Sequence, residues 1–125
     1  MEDHKGKFLI ADDEPDMCWA LELILRRGGW LTERALSGRE VCLRIQAEKF
    51  RLLFLDAKLP DVEGLDLARR IREMNPEMPI ILVSGYFYKD DAAIRKALAE
   101  GWICGFISKP FLHEEILRAV KTACP

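Results

Sequence analysis

At 125 residues and 14.4 kDa the chain can bury one good core without disulfide or metal staples, and it has no room for a second folded unit. Half of the residues are hydrophobic and 32% are charged, with a formal net charge of -2, the balance of a soluble globular domain. Nothing is basic enough to argue for nucleic acid or a membrane surface. No stretch approaches the length of a membrane span and the start, MEDHKGK, has no apolar segment of signal-peptide type behind it, so a cytoplasmic protein is expected.

The first predicted strand is the apolar run Phe8 to Ala11, which stops at Asp12. Pro15 suits the first turn of a helix, whose Met17, Ala20, Leu21 and Ile24 recur at helical spacing until Gly28 and Gly29 end it. Trp30 to Ala35 reads as a second strand, placed at a sheet edge because Glu33 and Arg34 interrupt it. Ser37 and Glu40 form a capping box for a second helix with Val41, Cys42 and Ile45 inward. Leu52 to Leu55 is apolar enough for a strand buried on both faces, and it ends on Asp56.

After a loop from Ala57 to Glu63, a third helix carries Leu67, Ala68, Ile71 and Met74 on one face and Asp66, Arg69, Arg70 and Glu73 on the other. Ile80 to Val83 is the fourth strand, followed by Ser84, Gly85 and the aromatic run Tyr86, Phe87 and Tyr88. The fourth helix uses Ala93, Ile94, Ala97 and Leu98, and Gly101 stops it. Ile103 to Ser108 is the fifth strand, Lys109 and Pro110 make a turn, and the last helix turns Ile116, Leu117, Val120 and Ala123 inward. Glu114 and Glu115 in its first turn favour the helix dipole.

Five alternations of strand and helix with short connections demand right-handed crossovers and a parallel sheet covered on both faces. The polar second strand belongs at an edge, so the expected fold is α/β, a doubly wound five-stranded sheet of flavodoxin-like order 2-1-3-4-5 with five helices, a single domain over 1–125. In that order the first and third strands meet where the winding reverses. Asp12, Asp13 and Asp56 then converge in one crevice at the carboxyl edge. Three carboxylates repel one another unless a cation sits between them, and an oxygen-only, wet site suits Mg2+ together with a substrate phosphate. Lys109 could neutralise a phosphoryl oxygen and the Ser84 hydroxyl could donate to another, leaving Asp56 to act as nucleophile and form an acyl phosphate.

Asp12-Asp13, the run Asp56-Ala57-Lys58-Leu59-Pro60 ending at Gly64, Ser84-Gly85 and Lys109-Pro110-Phe111 together resemble the receiver domain of two-component response regulators. The resemblance covers essentially the whole chain. It implies Asp56 as phosphoacceptor for a sensor histidine kinase, Asp12 and Asp13 as the acidic pair serving Mg2+, and the backbone carbonyl of Lys58 as a further metal ligand. It implies Ser84 and Lys109 as the phosphate-contacting pair, Phe106 as the aromatic switch position and a cis bond between Lys109 and Pro110. The output face would be the fourth helix, fifth strand and fifth helix, through which a homodimer could also form. Lys58 and Tyr86 border the phosphoryl group in this family and bear on phosphorylation lifetime. The segment Asp12 to Leu25, including Trp19, resembles receivers of the nitrogen-regulatory type. The expected role is that of a signalling phosphoacceptor whose only catalysis is its own phosphotransfer and dephosphorylation.

Ser84 stands where threonine is commoner, and Phe106 lacks the hydroxyl of the tyrosine often found there, so a switch at that ring must act by packing. A flavin carrier of flavodoxin type would want a hydroxyl- and glycine-rich phosphate loop after strand one, where this chain has Asp12-Asp13-Glu14-Pro15. A phosphatase resembling haloacid dehalogenases would need a DxD pattern, which Asp12-Asp13-Glu14 lacks. A degenerate receiver acting only as a binding module is the remaining alternative; the intact acidic pair, Asp56 and Lys109 argue against it. Cys18, Cys42, Cys104 and Cys124 show no CxxC spacing and are expected to be reduced and mostly buried, and His4 and His113 are expected at the surface. Trp19, Trp30 and Trp102 are expected to pack, with Trp102 also placed to mark a dimer or partner contact.

Overall fold

The computed structural model describes residues 6–123, so His4 and Cys124 lie outside the described residues. The elements are β1 (Lys7–Ala11), α1 (Pro15–Arg27), β2 (Leu31–Ala35), α2 (Gly38–Ala47), β3 (Leu52–Asp56), α3 (Gly64–Met74), β4 (Ile80–Ser84), α4 (Ala92–Ala99), β5 (Gly105–Ser108) and α5 (His113–Ala123). The strands form one parallel sheet in the order β2-β1-β3-β4-β5. The expected doubly wound topology is the observed one.

Each face of the sheet has its own core. Alternate residues of the central strands, Phe8, Ile10, Leu52, Phe54, Ile81 and Val83, pack with Cys18, Leu21, Ile24 and Leu25 of α1 and Ile116 and Val120 of α5. The opposite set, Leu9, Leu53, Leu55, Ile80 and Leu82, packs with Val41 of α2, Leu67, Ala68 and Ile71 of α3, and Ile94 and Ala97 of α4. Because side chains alternate along a strand, a one-residue slip would exchange the two cores. β2 escapes this demand at the edge. There Arg34 grips Glu22 of α1 at 2.7 and 2.9 Å, holding the Glu22 carboxyl below the usual range.

Several expected positions fall elsewhere. Met74 ends α3 with its side chain half exposed, and Met78, in the loop into β4, is buried in that core instead. Of α4 only Ile94 and Ala97, one i, i+3 pair, are buried; Ala93 and Leu98 are exposed. Ile103 is buried but precedes β5, since the amides of Trp102 and Ile103 both turn back to Ala97 O at 2.9 and 3.4 Å and close the helix. Gly101, at φ +77°, makes that reversal possible. Trp30 likewise precedes β2, its amide bonded to Leu25 O and its ring stacked 5.2 Å from Phe8. Trp19 is exposed rather than packed, and of the described cysteines Cys18 is buried, Cys42 half-buried and Cys104 exposed.

Candidate functional site

The ladder between β1 and β3 ends on the pair Ala11 and Leu55, so the next residue of each strand, Asp12 and Asp56, emerges side by side at the carboxyl edge. Asp12 is held there twice: its amide bonds Ala35 O at 3.1 Å, and its Oδ1 accepts from the Glu14 amide at 2.9 Å as the chain turns into α1. Both carboxylates are buried, at 2% and 8% exposure, while Asp13 faces solvent. One oxygen from each of Asp12, Asp13 and Asp56 lies within 4.8 Å of the others.

Lys109 reaches this cluster from the end of β5. Its Nζ is 2.9 Å from Asp12 Oδ2, 3.5 Å from Asp56 Oδ1 and 3.8 Å from Glu14 Oε1. Burial would drain its charge, but the hydrogen bond and charge of Asp12, helped by Asp56 and Glu14, outweigh that and raise its pKa. Asp56 is pushed up to about 6, first by burial and then by the charge of Asp12; Lys109 and the Lys58 amide pull the other way. The site is therefore overcharged with negative groups by one buried carboxylate's worth, a condition a divalent cation relieves. Cys18 donates its thiol to Asp12 O at 3.3 Å, and burial followed by the Asp12 charge pushes it up to about 11, so it is no thiolate nucleophile.

Ser84 is 1% exposed at the end of β4, one residue beyond the partner of Asp56 in the strand register. Its Oγ accepts from the amides of Tyr86 and Phe87 at 2.8 and 3.0 Å, anchoring the aromatic loop. The Lys109 amide donates to Ser84 O at 2.9 Å, and the Lys109–Pro110 bond is cis. The side chain of Lys58 stands on the outer rim, 3.2 Å from Glu63 and 4.1 Å from the centre of the Tyr86 ring.

Phe106 is half-buried, packed on the core beneath α4, and lines a cavity of about 440 Å³ with Leu98, Gly105, Glu115, Arg118 and Ala119. Trp102 is also half-buried, with the Arg69 and Lys96 cations 5.6 and 5.8 Å from its ring centre.

Two residues without an expected role here join the site or its loop: Glu14, a carboxylate neighbour of Lys109, and Asp61, which caps another helix. Glu14 was legible as a third acid directly after Asp12-Asp13. Asp61 was not, because its partners are 22 and 23 residues away.

The family model described as the response regulator receiver domain matches residues 8–121. The chain belongs to this family. It is 32% identical over 124 residues to the response regulator protein TodT of Pseudomonas putida, a match covering 98% of this chain and 53% of TodT. The chain thus spans about half the length of that curated relative. A crystal structure of NtrX from Brucella abortus in complex with ADP superposes with a TM-score of 0.84 at 28% identity, over 94% of this chain and 26% of that one. The response regulator protein TrrA of Thermotoga maritima, in complex with Mg2+-BeF, gives a TM-score of 0.81 at 26% identity over 94% of this chain and 97% of its own. The receiver fold and the two-component assignment follow. Among the described residues of this receiver, no helix is long and apolar enough to cross a membrane.

Proposed function

We propose that this receiver accepts a phosphoryl group from a sensor histidine kinase onto Asp56, and that the change is read at the face formed by α4, β5 and α5. The observation that carries the reading is the meeting of Asp12, Asp13 and Asp56 with the Lys109 ammonium at one end of the sheet. The all-oxygen donor set fits Mg2+, which Asp12, Asp13 and Asp56 would hold with the Lys58 carbonyl as a further ligand. When bound, the ion supplies positive charge to the oxygens of the transferring phosphoryl group.

The chain's own residues divide the remaining work. Asp56, with its carboxyl near 6, is predominantly ionised at neutral pH and its oxygen attacks phosphorus as the donor's P–N bond breaks and imidazole leaves. Lys109, already 3.5 Å from Asp56, offers its ammonium to a phosphoryl oxygen. The Ser84 hydroxyl, which accepts two amides, retains a proton to donate to another. Its movement toward the phosphoryl group would free space into which Phe106 packs, shifting the population of the α4, β5, α5 face. The groove there, with Leu98, Phe106 and Ala119 in its walls, suits a second receiver or an output partner. Dephosphorylation by water completes the cycle, so the domain acts as a cytoplasmic signalling phosphoacceptor and turns over no separate substrate.

Intact mass after incubation with acetyl phosphate and Mg2+ tests this, beside Asp56→Asn and a sample with EDTA. The expected result is one phosphoryl adduct that requires both Asp56 and the metal. A folded wild-type protein that gains no adduct from acetyl phosphate or from phosphorylated kinase would make it a degenerate, phosphorylation-independent binding module.

A further inference from the structure

Beyond the residues at the phosphoacceptor, one carboxylate ties the loop that follows Asp56 to a different helix. Asp61, at the tip of the β3–α3 loop, accepts the Gly38 amide at 2.7 Å through Oδ1 and the Arg39 amide at 3.0 Å through Oδ2. These are the first two residues of α2, whose own cap, Ser37, takes only the Glu40 amide at 3.1 Å. A helix start leaves its first amides without partners inside the helix, and here two of them are supplied from another element. The two amides hold the Asp61 carboxyl below its usual range, so it meets the positive end of α2 as an anion.

The contact is close as well as polar. A methyl group at Gly38 would lie 2.4 Å from Val62 Cγ1, so the loop tip rests directly on the helix start. The rest of the loop is internally braced, by Leu59 N to Val62 O at 3.1 Å, Gly64 N to Ala57 O at 2.7 Å and the antiparallel bridge of Lys58 with Glu63. Bracing sets the loop's shape. The Asp61 clamp and the Val62 contact tie it to the start of α2.

We propose that Asp61 is a positioning residue for the phosphoacceptor site: by fastening the β3–α3 loop to α2 it holds Lys58 in register with Asp56, and so strengthens Mg2+ binding without touching the ion. The metal part rests on the receiver chemistry proposed above. The clamp makes α2 a sensor of that loop, since whatever moves the loop changes the capping of α2.

Calorimetric titration with magnesium chloride at fixed ionic strength, together with amide hydrogen exchange, tests the idea on the wild type, Asp61→Ala, Asp61→Asn and Gly38→Ala. In Asp61→Ala, exchange should quicken at residues 38–39 and across 57–64, and the Mg2+ Kd should rise about threefold or more, less than the roughly 10–100-fold of a direct outer-shell partner because Asp61 acts through the loop. Asp61→Asn keeps one acceptor oxygen and should fall between. Gly38→Ala displaces Val62 while leaving the carboxylate intact, and should weaken Mg2+ in the same direction. Equal Mg2+ affinity in the wild type and Asp61→Ala, or unchanged exchange across 57–64, overturns the positioning role. A wild type that binds no Mg2+ sinks the receiver chemistry and the positioning role together, so the two failures are told apart.

Discussion

Between β3 and α3 the backbone folds back on itself, bonded from Gly64 to Ala57 and from Leu59 to Val62, with Leu59 buried and Asp61 fastened to α2. Between β4 and α4 the chain hangs from the Ser84 hydroxyl and a local turn, in which the Tyr88 amide donates to Asp91 at 2.8 Å, and Tyr86 and Tyr88 stand 65% and 72% exposed. Both loops border Asp56. The first is set before any chemistry happens; the second depends on the side chain that the proposed mechanism moves. Under the proposed mechanism, presenting the nucleophile and reporting on it are divided between a braced loop and a tethered one.

The strongest test of that contrast lies in two glycines. A methyl at Gly64 would meet Asp56 O at 2.4 Å and Ala57 Cα at 2.8 Å, both backbone, whereas one at Gly85 would have only Lys109 Cβ at 3.6 Å. Gly64→Ala is expected to destabilise the fold by about 3 kcal/mol or more and Gly85→Ala by less than about 0.5 kcal/mol, measured by urea denaturation. Similar losses at the two sites would erase the distinction.

Next comes the charge at the end of β3, just ahead of the braced loop. The Asp56 pKa is raised in the fold to about 6 against 3.8 for the free group, so between those values the native state binds more protons and stability falls as pH rises. Asp56→Asn should therefore be more stable than wild type at pH 7 without metal, on the order of 1–2 kcal/mol once solvent screening is allowed for. The gain should vanish below about pH 4, where the wild-type carboxyl is protonated in both states. Denaturation midpoints for the two proteins from about pH 3 to 8 would show it, and parallel curves would deny Asp56 its buried charge.

Ser84→Ala removes the acceptor for two amides of the tethered loop, at a cost of about 1 kcal/mol. It should also speed amide exchange from Tyr86 to Asp91 and leave 57–64 unchanged. Spread of the change into the braced loop would mean that the two are one unit. The smallest effects are expected where the loops touch, at the Lys58 ammonium over the Tyr86 ring. Lys58→Asn and Tyr86→Ala should each change the lifetime of the phosphorylated protein, followed by the decay of its intact-mass adduct, with stability altered by less than about 0.5 kcal/mol. Identical decay in all three proteins would remove both residues from the water's path.

Much of this protein was determined by sequence alone. Strand-length apolar runs ending on Asp12, Asp56, Ser84 and Lys109 specify where each element stops, and a parallel sheet has one carboxyl edge at which such ends can meet. The polar β2 could satisfy Glu33 and Arg34 only at an edge, which sets the strand order. The Ser37 cap was legible because the Glu40 amide it accepts lies three residues away, whereas the Glu40 carboxylate takes the Leu36 amide at 3.0 Å in place of the Ser37 amide a full capping box would use. Tertiary structure decided what depends on contacts between distant elements. Whether Met74 or Met78 fills the core, how little of α4 is buried, and which residue takes the Gly38 and Arg39 amides are set by where the helices lie on the sheet. The raised carboxyl of Asp56 belongs to the same class. That Asp12 and Asp56 meet was legible in the strand ends; how deeply Asp56 is buried beside Asp12, the first cause of its rise, was set by the packing around β1 and β3.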